Sequence, residues 1–251
     1  MLSPGSGFFA MWNDIAPGFA EEFELMHARD HLGEHLSYLG EAGILWARRH
    51  GEGEGSLPPF FAFYAMASLD RLTAPGAARH QVHETALFKA VREHYRDRIP
   101  HHCRVLASAG AGAGGAVATF LVVLADDAAG GGAELADRLT QLAPVTAAHL
   151  GVVDWSVPIR AGGVPPACPA GDERLGVVIV ESYSRPALAR CFAEIAGLIA
   201  GSACVAATRG AGHYRLSYAL AYEEVEALKY HRRDRTAPPE GPQSRSLPIR
   251  S

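Results

Sequence analysis

Apolar residues along this chain fall into two rhythms, a two-residue alternation in short aromatic and β-branched runs and a helical spacing in the segments between them. Phe8–Ile15 (FFAMWNDI) reads as a strand that ends in the turn Ala16-Pro17-Gly18 and leads into a helix. That helix is expected from Phe19 to Leu39. On a helical wheel Phe19, Phe23 and Met26 form one apolar patch and Leu25, Leu32, Leu36 and Leu39 another, so it packs on two sides. Beyond Gly40 and Gly43, Ile44–His50 predicts a half-buried strand, GEGEGS a turn or exposed loop, and Pro59–Ala67 (PFFAFYAMA) the strongest strand of this half. A second helix is expected from Ser68, interrupted at Pro75-Gly76 and resuming from Arg79 to Arg96, before a short strand at Cys103–Ala107.

The order β-α-β-β-α-β is that of the ferredoxin-like split unit. The Gly- and Ala-rich stretch Ser108–Gly115 reads as a linker, and the order then recurs. The second set comprises a strand at Ala116–Ala125, a helix at Ala133–Ala148, a strand at Val152–Ile159 and a Pro-rich loop to Asp172. A strand at Leu175–Ser182, a helix at Arg185–Ile199 and a strand at His213–Leu220 complete it. The expected class is α+β, with one ferredoxin-like unit over 1–110, a second over 111–225, and a flexible tail over 226–251 that has little to bury. Each unit carries its helices on one face of its sheet and leaves the other face apolar. Two units packed sheet to sheet would cover those faces and enclose an apolar pocket between them.

Composition narrows the function classes. The 251 residues carry a formal charge of -4 and no basic block that would draw the chain to nucleic acid or to anionic lipid. No apolar run is long enough to cross a bilayer, and MLSPGSG lacks the basic start and apolar core of a signal peptide, so a cytoplasmic protein with no membrane partner is expected. Cys103, Cys168, Cys191 and Cys204 lack C-x-x-C spacing and read as free thiols rather than as a zinc or redox centre. AGAGAGG at Ala109–Gly115 has no strand-to-helix setting and no phosphate-gripping Lys, which excludes a nucleotide loop.

The chemistry concentrates on the first helix. His27, His31 and His35 share a stripe, with Asp30 beside His31 and Glu34 one turn on. An imidazole at the edge of an apolar pocket exchanges protons near neutral pH, so His31 is the candidate general acid or base, oriented by Asp30 or Glu34. The competing reading for each His is that it ties down a backbone carbonyl or a nearby carboxylate. His31–His35 also spells H-x-x-E-H, a zinc-binding string that needs a third ligand from elsewhere; His80, His83 and Glu84 are the candidates. Arg48-Arg49 could meet an anionic substrate, although exposed strand arginines are ordinary. Trp12, Phe61, Phe63, Tyr64 and Trp155, with His27, are candidates to contact a substrate, and core packing explains the aromatic ones equally well.

Four segments together resemble the dimeric α/β-barrel superfamily: Trp12–Phe23, Asp30-His31 with Glu34, ARRH at Ala47–His50, and FFAFYAMASLDRLTAP at Phe60–Pro75. Within it they resemble EthD-like and related bacterial proteins that carry two units in tandem. His27, His31 and Glu34 match the family pattern, while Met26, Asp30 and Gly33 replace its aromatic, Glu and Pro. The superfamily spans monooxygenases, cyclases, isomerases, dehydratases and haem enzymes, so the resemblance implies a fold more than a reaction. Three readings follow. The first is a cofactor-independent enzyme acting on a small apolar or aromatic molecule by His31 acid/base chemistry. The second is a non-enzymatic ligand-binding module, and the third a haem or zinc protein. A tandem chain can close its own interface, and a homodimer stays open as a further assembly.

Overall fold

The computed structural model describes residues 4–39, 43–75, 85–126, 128–160, 162–172 and 174–227. The first half contains β1 (Gly7–Ile15), α1 (Ala20–Met26), a π turn at His27–His31, α2 (Leu32–Leu39), β2 (Ile44–Gly55) and β3 (Phe60–Met66). The short helices α3 (Asp70–Thr73) and α4 (Ala86–Arg92) and the long strand β4 (Tyr95–Gly110) complete it. The second half repeats the order with β5 (Ala116–Leu124), α5 (Ala128–Thr140), β6 (Val145–Val153), β7 (Leu175–Ser182), α6 (Arg185–Ala200) and β8 (Val205–Ala221), followed by α7 (Tyr222–Ala227). The tail expected to be flexible lies almost wholly outside the described residues, as do His80, His83 and Glu84.

The strands form one closed antiparallel barrel in the order β1-β3-β2-β8-β5-β7-β6-β4. Each half keeps the strand order of a ferredoxin-like sheet, and the halves join at two seams, β2 to β8 and β4 to β6. The two sheets are therefore continuous rather than merely stacked. Alternation along each strand sends one set of side chains into the barrel and the other outward beneath the helices. Phe8, Ala10 and Trp12 of β1, Phe61 and Phe63 of β3, and Trp46 of β2 point inward, where they meet Val177 and Ile179 of β7 and Tyr214 of β8.

This interior is filled, contrary to the expected pocket between the sheets. A Cβ on Gly151 would lie 2.6 Å from the Phe8 ring and 2.9 Å from Cys103 Cβ, so even one methyl group has no room there. The indole of Trp12 donates to Thr119 Oγ1 of β5 at 3.0 Å, tying the halves together across the core. At one end Arg48 donates to both oxygens of Glu181 at 2.7 and 2.6 Å, with His149 Nε2 3.3 Å from the same carboxylate and the Gly114 N–H donating to it at 2.9 Å. Burial alone would raise the Glu181 carboxyl pKa; the His149 hydrogen bond and the Arg48 charge outweigh it and hold the group below its ordinary value.

The outer faces of the two halves differ. In the second, α5 and α6 lie directly on the sheet, and Phe120, Leu135, Leu139, Leu150, Leu188 and Ile195 pack into one core. Gly131 and Gly132 permit that approach: a Cβ on the first would lie 3.0 Å from Cys204 Cβ and on the second 2.9 Å from a Leu150 methyl. In the first half the helices stand off the sheet and leave a cavity.

Several boundaries differ from expectation. GEGEG continues β2 instead of forming a loop, pairing with β8 through bulges, with Glu52 at φ 53°. Tyr95 and Arg96, expected at a helix end, open β4, which begins well before Cys103. In the second half the helix stops at Thr140, so the strand lies at Val145–Val153 and not at Val152–Ile159. No helix among the described residues is long and apolar enough to cross a membrane. The four cysteines are free thiols.

Candidate functional site

A cavity of about 690 Å³ lies between the outward face of the first-half sheet and the π turn, α2 and α4. That volume suits a drug-sized organic molecule. Its floor follows from strand alternation: Phe9, Met11 and Asn13 of β1, Ala62, Tyr64 and Met66 of β3, Ile44 and Arg49 of β2, and His102 of β4 all face it. Its roof is the helical stripe His27, Asp30, His31, Glu34 and His35, with Thr85 and Phe88 from the start of α4; Arg92, Glu93, Tyr95, Arg98 and Arg160 complete the wall.

The roof depends on the π turn. The Leu32 N–H reaches back five residues to His27 O, so one extra residue is accommodated in the middle of what the sequence presents as one helix. The result is a column of imidazoles, with His27 and His31 centroids 5.2 Å apart and His31 and His35 4.0 Å apart. The His31 ring also stacks on Phe88 at 4.7 Å with a 10° interplanar angle.

The three histidines are not equivalent. His27 donates from Nδ1 to Phe23 O at 2.9 Å, and its Nε2 is 3.3 Å from the Tyr95 hydroxyl, which fixes its tautomer and holds the ring. It is the carbonyl-bound histidine that the competing reading anticipates. His31 forms no hydrogen bond among the described residues and is partly accessible from the cavity. Burial pushes its pKa well below the ordinary value, and the neighbouring His35, His27, Arg49 and Arg98 push the same way. His35 is lowered to about 4 by burial. All three rings are therefore neutral at physiological pH. Asp30 accepts a hydrogen bond from Thr85 Oγ1, whose oxygen in turn caps α4 by accepting from the Phe88 N–H at 3.0 Å. Its carboxylate thus anchors α4 beneath the roof rather than orienting His31, and Glu34 is the carboxylate that shares the cavity wall with the ring.

Of the aromatic residues expected to contact a substrate, Tyr64 lines the cavity, where burial raises its hydroxyl to about 12. Trp12, Phe61 and Phe63 point the other way, into the barrel. Trp155 sits in the turn after β6, donating to Asp172 O at 3.0 Å. The residue whose setting was missed is Arg49. It is fully buried, not exposed, with its guanidinium 4.4 and 4.9 Å from the Phe23 and Phe60 ring centroids. Its only hydrogen bond among the described residues runs from Nη1 to Asn13 Oδ1 at a long 3.5 Å. The alternation of β2 held the signal, since two consecutive strand residues cannot both face solvent when the strand is covered on both sides.

Among the described residues no three His, Cys, Asp or Glu side chains converge on a metal position, and the candidate third ligands of the H-x-x-E-H string, His80, His83 and Glu84, lie outside those residues. His31 and His35 instead pack ring against ring.

No protein-family model matches the sequence, and no curated protein matches it. Solved structures do match in fold. One is a presumed monooxygenase from Fusobacterium nucleatum subsp. nucleatum ATCC 25586, with a TM-score of 0.52 over 86% of this chain and 95% of that one at 5% identity. Another is a presumed monooxygenase from Lactobacillus acidophilus NCFM, with a TM-score of 0.52 over 86% and 97% at 11% identity. Likeness at that identity is one of architecture, and it agrees with the strand order found here: the chain has the dimeric α/β-barrel fold, with both ferredoxin-like units supplied by a single polypeptide.

Proposed function

We propose that the first-half cavity is the active site of a cofactor-independent enzyme that moves a proton on a small, largely apolar or aromatic molecule, with His31 as the base. The observation that carries this reading is a neutral imidazole without a hydrogen-bonding partner among the described residues on the wall of a partly open, aromatic-lined cavity. An unprotonated ring nitrogen accepts a proton from a substrate C–H; the electron pair stays on the substrate as an enolate or carbanion, and the imidazolium returns the proton. Burial also makes this a weak base, so the substrate C–H must already be acidified by a flanking carbonyl or aromatic ring. Glu34 is the group assigned to steady the transient imidazolium, while His27, bound to Phe23 O, positions the column beside it. Isomerases, cyclases and cofactor-independent monooxygenases share this first step, and the names of the two fold neighbours are in keeping with the last.

Hydrogen exchange tests the reading without a known substrate. In D2O the protein should catalyse deuterium incorporation into activated aromatic ketones, and His31→Gln should slow it by about two orders of magnitude or more, as expected on removing a general base. Saturable binding with no exchange would instead support the non-enzymatic ligand module.

A further inference from the structure

We infer that Arg49 is the docking point for a carboxylate on the ligand, so that the molecule taken by the cavity is an aromatic or otherwise apolar monocarboxylic acid. This deepens the reading of the cavity as a ligand site and rests on it. Arg49 is 0% exposed, lines the cavity, and has no ion-pair partner among the described residues. Nε and Nη2 have no hydrogen-bond partner there either. These two atoms form one edge of the guanidinium fork, the edge that a carboxylate meets with two parallel hydrogen bonds. The opposite end is occupied by Asn13, and the rings of Phe23 and Phe60 lie against the group.

A buried guanidinium with an unpaired edge is costly to keep, and a folded chain tolerates it where something else completes the pair. Glu24 feels the Arg49 charge, but burial raises its pKa and it forms no salt bridge with Arg49. The neighbouring imidazoles are neutral and offer no counter-charge. One free edge supplies donors for two oxygens and no more. A carboxylate fits that number. A ligand held this way would place its apolar body in the cavity that Phe88 and His31 also line.

Benzoate, with benzamide and methyl benzoate as uncharged analogues of the same shape, tests the assignment by calorimetry and thermal shift. Benzoate should bind saturably and at least about tenfold more tightly than either neutral analogue, the discrimination of a charge-assisted bidentate pair. In Arg49→Met, which replaces the buried cation with an apolar chain, that preference should collapse to about one. If that variant does not fold, Arg49→Lys, which keeps the charge and loses the two-donor edge, takes its place and should lose most of the preference as well. Equal binding of benzoate and benzamide, no binding of benzoate at tens of millimolar, or an undiminished benzoate preference in folded Arg49→Met would each overturn the assignment, the last moving it to Arg92, Arg98 or Arg160. The outcome is independent of the exchange assay: a chain that prefers benzoate but exchanges no protons keeps the carboxylate site and loses the role of His31.

Discussion

Arg48 and Arg49 are adjacent in sequence and face opposite sides of the sheet. One reaches into the barrel and finds Glu181, the other reaches out to the cavity and finds only Asn13. The imidazoles show the complementary case of buried groups kept neutral. His35 and His101 are lowered to about 4, and His50 and His102 to about 3, in each case chiefly by burial. Their unfolded values lie near 6.5. Between those limits the unfolded chain binds more protons than the folded one, so stability is full above about pH 6.5 and is lost as pH falls. For His35 alone the loss by pH 5 is about 2 kcal/mol. Urea unfolding at pH 7 and pH 5 should show the drop, and His35→Gln should make it smaller; a slope that the substitution does not alter would mean that His35 is not buried neutral. The sequence displayed the histidine stripe plainly. It could not show which ring was tied to a carbonyl, nor that Asp30 was committed to Thr85, because both depend on α4 and on the π turn.

At the scale of elements, the strands with continuous apolar runs were legible nearly to the residue: Leu175–Ser182 and the core of Phe60–Met66 lie where the pattern puts them. The strands that lie elsewhere do so for physical reasons. Gly and Glu are poor strand formers, yet GEGEG is held in β2 by its pairing with β8. In the second half, Pro144 after Leu142-Ala143 marked the end of the helical region, and the small residues of VTAAHLGVV concealed a strand of which nearly all is buried. The cavity was expected inside the barrel and lies outside it, because large inward residues such as Phe8, Trp12 and Phe63 fill the lumen. Gly151 measures that filling. Gly151→Ala should cost about 1 to 3 kcal/mol by overpacking, read from the denaturation midpoint. A neutral result would show a lumen loose enough to admit a ligand after all.

At the scale of the molecule, the two halves share a strand order but not its use. One holds its helices off the sheet over a cavity, and the other lets glycines bring α5 down onto it. The halves are locked by Arg48 and Glu181, from β2 of one half and β7 of the other. Glu181→Gln should destabilise the whole chain by about 3 to 5 kcal/mol, because it strands a buried cation; adding Arg48→Met should recover most of that loss. Calorimetry on the single and double variants checks this, and a double variant as unstable as the single one would refute it.

Closure itself has a kinetic consequence. Every described strand has a neighbour on each side, so the sheet is a hoop with no free end from which to peel. An open sheet can fray from its outermost strand while the rest stands. A hoop must be cut before it can unroll, and each cut severs a full seam. Amide exchange at the β2–β8 and β4–β6 seams should therefore be as slow as in the middle of either half, and unfolding should be a single slow event rather than a series of small ones.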